Sequence, residues 1–308
     1  MQFGVMLPHR WLYAAGKSIS DFAREAEALG YTSLWVTDHI VVPSYRMERG
    51  HIFYEALTTL AYVSSITSRC HLGVAVLALP PRNPVLVAKQ VATLDALSAG
   101  RVILGVGTGW IEEELRYLGA PWSARGRMLD EAIRVLRKLW SDENANSFQG
   151  HYTAFTEVAC FPKPAQPGGP RVLIGGMTAS SLKRAATVGD GWMPWAVTPQ
   201  ELKDGVAGIR AYRSDKPLEL VCVMPTDIGS HAMERYTGVF GEDHKLLSGS
   251  VTAVTKMVKE FEEAGLHHLV CSFRDVRLFR DDRIDEINRQ MRLFAKKVLP
   301  AFVAGRDS

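Results

Sequence analysis

Short apolar runs alternate with amphipathic stretches from one end of this 308-residue chain to the other. Residues 3–7 read as a strand, and 18–29 as a helix with Ser18 or Ser20 as its cap and Gly30 closing it. Further strands are expected over 33–37, 71–77, 101–106, 171–174, 191–195, 218–224 and 267–272. Helices are expected over 55–67, 84–97, 124–140, 179–188, 199–212, 250–264 and 283–302. Strands that alternate with helices imply a parallel sheet, and continuously apolar ones such as Val102-Ile103-Leu104 imply burial on both faces. Eight such units fit a (β/α)8 TIM barrel spanning 1–308 as one domain. A doubly wound open sheet is the rival, and it usually has fewer strands per domain.

Two connections are too long for simple turns and read as insertions, near 142–166 and 225–249. In the first, Gly150 lies between short β-like runs, as in a surface hairpin. The second mixes glycines, charges and aromatics over a length that marks a functional or disordered loop.

A formal net charge of +3, with Lys and Arg scattered, offers neither a nucleic-acid stripe nor a membrane-binding basic tail. The four cysteines lie far apart with no CxxC pair, which suits reduced thiols in a cytoplasmic protein. The first residues lack a basic leader region. No apolar run approaches the ~20 residues of a membrane span. A soluble cytoplasmic protein is expected, with a small molecule as substrate.

In a barrel, chemistry gathers at the C-terminal strand ends. A metal-dependent hydrolase would need an HxH pair after the first strand, where His9 stands alone. No lysine ends a middle strand to form a Schiff base, and no GxSxG elbow appears. What remains is glycine, a few hydroxyls and the pair Asp38-His39, which ends the run "SLWVTDHI". Such a rim is poor in chemistry of its own and suited to holding a large flat cofactor.

"IGGMTASS" runs from a strand through Gly175-Gly176 into a helix, and its free N–H groups favour a phosphate. The same residues also suit a tight turn with Thr178 as N-cap. "GVGTGW", 105–110, suits a wall against a ring, but lacks the third glycine of a dinucleotide fingerprint. Asp38-His39 reads either as an acid–base pair at a site or as a loop cap over a packed imidazole. His9, Arg10, Trp11 and Glu55 are placed near the pocket by position alone. Asp95 with Arg101, and Glu114 with Arg127 and Asp130, read as structural ion pairs; His267-His268 read as structural at the barrel's bottom.

These residues carry a resemblance. Through "EAEALGYTSLWVTDHIVVP", "RVILGVGTGW" and "GGPRVLIGGMTASSLKRAATVGDGW", the chain resembles the bacterial luciferase-like superfamily, and within it the coenzyme F420-dependent branch. The resemblance implies that Asp38 and His39 lie beside the cofactor's ring, with His39 as the catalytic base. It implies a non-prolyl cis peptide at Ala75-Val76, forming a bulge behind the ring. Gly107, Thr108 and Gly109 match the turn that lines the cofactor. Gly175, Gly176, Met177 and Thr178 match the turn that receives its phosphate, although many relatives place a small or polar residue at Met177. A hydride-exchanging F420 oxidoreductase is thus the leading expectation, and no metal is expected. An FMN-dependent monooxygenase is the runner-up, and a flavin-binding, non-catalytic subunit is a third reading. The resemblance also implies a homodimer, with helices 55–67 and 84–97 as candidate contacts, and leaves room for a separate flavin or F420 reductase as partner.

Overall fold

The computed structural model describes residues 1–10, 14–46, 52–212, 217–229, 235–237, 243–274 and 284–303. Eight parallel strands close into a barrel: β1 Gln2–Met6, β2 Ser33–Val36, β3 His71–Ala78, β4 Val102–Gly107, β5 Arg171–Gly175, β6 Gly191–Met193, β7 Glu219–Ile228 and β8 His268–Phe273. Each pairs with its neighbours in chain order, and pairings of β1 with β8 and of β6 with β7 complete the ring. The expected strand positions hold to within a few residues. The (β/α)8 TIM barrel is therefore the fold.

Period-two patterning sorts the strand residues between two cores. In β2, Leu34 and Val36 point outward into the large core beneath the helices, whereas Trp35 points into the barrel with Met6, Ile103, Leu173 and Val270. Trp35 is fully buried, and its indole N–H donates to Ser33 Oγ at 2.6 Å. The Ser33 hydroxyl also meets His268 Nε2 at 2.7 Å. Two glycines make room for the indole. A Cβ on Gly73 would lie 2.1 Å from Trp35 Cε3, and one on Gly4 would lie 2.7 Å from its Nε1.

The helices follow the expected pattern with local corrections. The first runs Gly16–Ala28 with Ala15 at its N-cap, so neither Ser18 nor Ser20 caps it. Ser20 instead donates back to Lys17 O at 3.0 Å. A short helix, Glu112–Tyr117, follows β4 where none was expected. The last helix stops at Lys297, and Pro300–Val303 forms a separate turn, because proline cannot continue the hydrogen-bond ladder.

Asp95 and Arg101 do not pair with each other. The Asp95 carboxylate accepts from Val102 N and from both nitrogens of Gln166, whereas Arg101 donates to Ser64, Thr67, Cys70 and Ser98. All four cysteines are buried free thiols.

The first insertion forms the expected hairpin, Asn146–Gln149 with Ala154–Val158. Glu131, on the helix Arg125–Trp140, holds its turn by accepting from the amides of His151, Tyr152 and Thr153. In the second, Arg235–Thr237 pairs antiparallel with Asp243–Lys245, and Leu247–Gly249 joins the end of β7. Among the described residues no helix is long and apolar enough to cross a membrane.

His9 is fully buried and ties the exits of β1 and β2. Its Nδ1–H donates to Leu7 O at 2.9 Å, and its Nε2 accepts the Thr37 amide at 3.0 Å. It is a strut and not part of the pocket wall. Trp11 lies outside the described residues.

Two outcomes are expected. Gly73→Ala overpacks the barrel interior against Trp35, lowering unfolding free energy by about 1–3 kcal/mol in denaturant titrations. Unchanged stability would show that the indole has room to move. Burial holds both His9 and His268 neutral, assisted by Arg10 at the first and by His71 and Arg171 at the second, and pulls each pKa down to about 3. A depressed histidine leaves stability intact above its unfolded value near ~6.5. As pH falls from there toward 3, only the unfolded chain takes up the proton. Stability should drop by about 1.4 kcal/mol per pH unit for each histidine. His268→Gln should flatten the slope between pH ~6.5 and ~5, above the carboxylate range; an unaltered slope would contradict this.

Candidate active site

The C-terminal ends of the strands open onto a cavity of about 710 Å3. Ten of the eleven expected site residues line it. Asp38 and His39 come from the exit of β2, and Ala75 and Val76 from β3. Gly107, Thr108 and Gly109 follow β4, and Gly175, Gly176 and Thr178 follow β5. Met177 does not line the cavity, and its side chain is exposed.

The Ala75-Val76 peptide is cis, and the pairing of β3 with β4 shifts register between Val74 and Leu77. The bulge pushes the Val76 side chain toward the neighbouring strands. A Cβ on Gly107 would fall 2.7 Å from Val76 Cγ2, and one on Gly175 would fall 2.8 Å from Val76 Cγ1. These glycines therefore make space for Val76, a reason the sequence pattern alone did not disclose. Gly109 and Gly176 have positive φ, 76° and 102°, which glycine adopts without a Cβ penalty.

His39 is held by a residue that sequence reasoning assigned elsewhere. Its Nδ1 lies 2.9 Å from Glu114 Oε2, with both side chains nearly buried. Glu114 Oε1 accepts from the amides of Ile40 and Val41 at 2.7 and 3.2 Å. A carboxylate only accepts, so Nδ1 carries the proton and the neutral imidazole keeps its lone pair on Nε2. Phe53 and Trp110 meet the ring edge-to-face at centroid distances of 5.3 and 5.9 Å. Glu114 thus does not tie down the long helix. Asp130 pairs with Arg184 at 2.5 Å, and Arg127 Nε donates to Tyr152 at 3.4 Å. The one sequence signal for Glu114 was the acidic run Glu112-Glu113-Glu114, directly after the glycine turn.

Asp38 turns its carboxylate back toward the scaffold. Oδ2 accepts the Ala78 amide at 3.0 Å, and Oδ1 pairs with Arg82 at 2.6 Å. Burial raises its pKa, with Arg82 pulling the other way. Glu55 does not line the cavity. It caps the helix Ala56–Ser64 through Thr58 N and contacts Arg82 at 3.3 Å.

On the opposite wall, Thr178 is the N-cap of the helix Ala179–Thr187 and also faces the cavity. Its hydroxyl accepts from Ser181 N at 3.2 Å and sits 2.9 Å from the hydroxyls of Ser180 and Ser181. Trp192 Nε1 fixes the turn from behind by donating to Gly176 O at 2.8 Å. Arg125 and Arg184 also line the cavity, and Arg184 Nη1 lies 3.5 Å from Ser180 O. From the second insertion, His244 reaches the cavity and accepts from Trp195 Nε1 at 3.3 Å, another contact that sequence reasoning missed. Among the described residues, no cluster of three or more potential metal ligands forms.

Comparison with known proteins agrees with this architecture. Residues 1–240 match the family model described as luciferase-like monooxygenase. An uncharacterised protein of Mycobacterium tuberculosis is 33% identical over 225 residues, covering 67% of this chain and 76% of the relative. The F420-dependent glucose-6-phosphate dehydrogenase of Amycolatopsis mediterranei is 35% identical over 181 residues, covering 58% of this chain and 53% of the dehydrogenase. The monooxygenase RslO1 from Streptomyces bottropensis superposes with a TM-score of 0.81 at 20% identity, covering 98% of this chain and all of that one. At that identity, the likeness speaks for the fold. The chain belongs to the luciferase-like monooxygenase family and is an oxidoreductase of that family.

Proposed function

We propose that the protein is an F420-dependent oxidoreductase that exchanges a hydride between the deazaflavin and a small or medium organic substrate. The observation that carries the reading is the buried His39–Glu114 pair on the cavity wall. It supplies a base of defined tautomer, which hydride chemistry on an alcohol or related group requires. The F420-dependent relative supports the same cofactor.

The residues present fit such a group. The bulge at Val76, seated in space left by Gly107 and Gly175, offers an apolar wall for a planar ring. The helix N-terminus at Thr178, with Ser180, Ser181, Arg125 and Arg184 around it, offers hydroxyls, amides and positive charge to a phosphate. When bound, the deazaflavin supplies the carbon that accepts or gives the hydride. His39 Nε2 takes the proton that the substrate loses, or returns it in the reverse direction. Glu114 orients the imidazole through Nδ1–H and stabilises the positive charge it acquires. Phe53 and Trp110 pack edge-to-face against the His39 ring and help hold its orientation.

An FMN-dependent monooxygenase is the second reading, supported by the match to the family model described as luciferase-like monooxygenase. We also propose a homodimer, on the exposed Tyr62 and Leu86 of the helices Ala56–Ser64 and Pro84–Leu97. A reductase partner would be needed only where reduced cofactor is consumed.

Titration with each cofactor separates the two readings. The F420 reading expects micromolar or tighter deazaflavin binding and much weaker FMN binding; tight FMN binding with no measurable deazaflavin binding would overturn it. Glu114→Gln and His39→Ala are expected to lower kcat by about 10²–10⁴-fold, with cofactor affinity changed only a few-fold. Full activity in His39→Ala on an identified substrate would remove the proposed base.

A further inference from the structure

We propose that Arg82, which does not line the cavity, is a positioning residue for the site: it holds the Asp38 carboxylate against the Ala78 amide and so fixes the β3 exit that carries the Ala75-Val76 wall. Arg82 joins three elements there, two through its guanidinium and one through its backbone. Its Nη2 contacts Asp38 Oδ1 at 2.6 Å at the exit of β2. Its Nη1 contacts Glu55 Oε1 at 3.3 Å, at the cap of the helix Ala56–Ser64. Its own amide donates to Leu79 O at 3.1 Å, closing the turn after β3. Asp38 completes the loop by accepting Ala78 N, two residues beyond the cis bond. The Asp38 side chain has no exposed surface, and that of Arg82 is 12% exposed. A carboxylate so placed is stable as an anion only while a cation stays beside it.

The groups around Asp38 make Arg82 the one that sets its charge. Glu55 disfavours ionisation of Asp38, and Arg82 is the largest influence favouring it. Buried His9 is neutral and faces Thr37, and His39, next in the chain, is engaged with Glu114. Arg10 borders the cavity at the neighbouring strand exit. Without Arg82, Asp38 takes up a proton more readily or leaves its place. Either change loosens the Ala78 contact and the wall it supports.

The inference rests on the cofactor reading only for its consequence, so the test has two separate measurements. The first uses the full chain without cofactor: carboxyl-labelled aspartate is followed by 13C NMR against pH, with Asp38→Asn identifying the resonance. In Arg82→Met, the Asp38 carboxyl is expected to titrate about one pH unit or more above wild type, a tenfold change in its ionisation constant. Arg82→Lys should recover most of that change. Arg82→Gln serves in place of the methionine variant if that one does not fold. An Asp38 titration identical in wild type and in the folded Met or Gln variant overturns the proposal.

The second measurement follows F420 binding by fluorescence. Over the pH range of Asp38 titration, the dissociation constant of the Met variant is expected to vary about tenfold more than that of wild type. Equal pH profiles contradict a positioning role. Failure of wild type to bind F420 removes the cofactor reading and leaves the NMR measurement to judge Arg82.

Discussion

Closure of eight parallel strands into a ring is the constraint from which the rest of the structure follows. A closed ring has no unpaired edge, and it must be filled from within. Here the filling is dominated by Trp35, whose bulk is admitted by the missing side chains of Gly4 and Gly73. At that depth the indole N–H donates to Ser33 Oγ, and the same hydroxyl meets His268 Nε2. Because all strands run the same way, their C-terminal ends meet on one rim. Residues as distant in sequence as Arg10 and Arg274 therefore share a cavity.

Among the described residues, Asp38 and Glu114 are the acids that line that cavity, and the scaffold uses each differently. Glu114 takes two backbone amides on one oxygen and the His39 imidazole on the other, so the peptide after β2 and the short helix after β4 are locked through one side chain. Asp38 faces away from His39's partner and is committed to Arg82 and Ala78. Buried acids of this kind are costly unless paired, and each pair here also fixes the geometry of a wall. The arrangement separates partners that adjacent numbering had merged: Asp38 is tied to Arg82 and Ala78, and His39 to Glu114.

The barrel was legible because its elements carry strong local signals: apolar runs of four to eight residues, proline at the start of Pro84–Leu97, and Thr178 as a cap. The cavity-lining turns were legible for the same reason, since glycines at strand exits are visible in sequence. What escaped were partnerships set by tertiary distance. Glu114 lies 75 positions from His39, and nothing local distinguishes it from Glu113, which faces Tyr45. Asp95 and Arg101 flank one turn yet bond to different segments, and His9 follows β1 yet points into the scaffold. Proximity in sequence suggested pairs that packing did not make. The purpose of Gly107 and Gly175 was similarly hidden, because it depends on the direction in which the bulge throws Val76.

Glu114 accepts from His39 Nδ1–H and so fixes the neutral ring in one tautomer, with its lone pair on Nε2. Long-range 1H–15N correlation NMR on histidine-labelled protein reads this directly, with His39→Gln supplying the assignment. The account predicts a protonated Nδ1 and an unprotonated Nε2 in the neutral ring, with Glu114→Gln shifting the tautomer balance. A neutral His39 carrying its proton on Nε2 in the wild-type protein would contradict it.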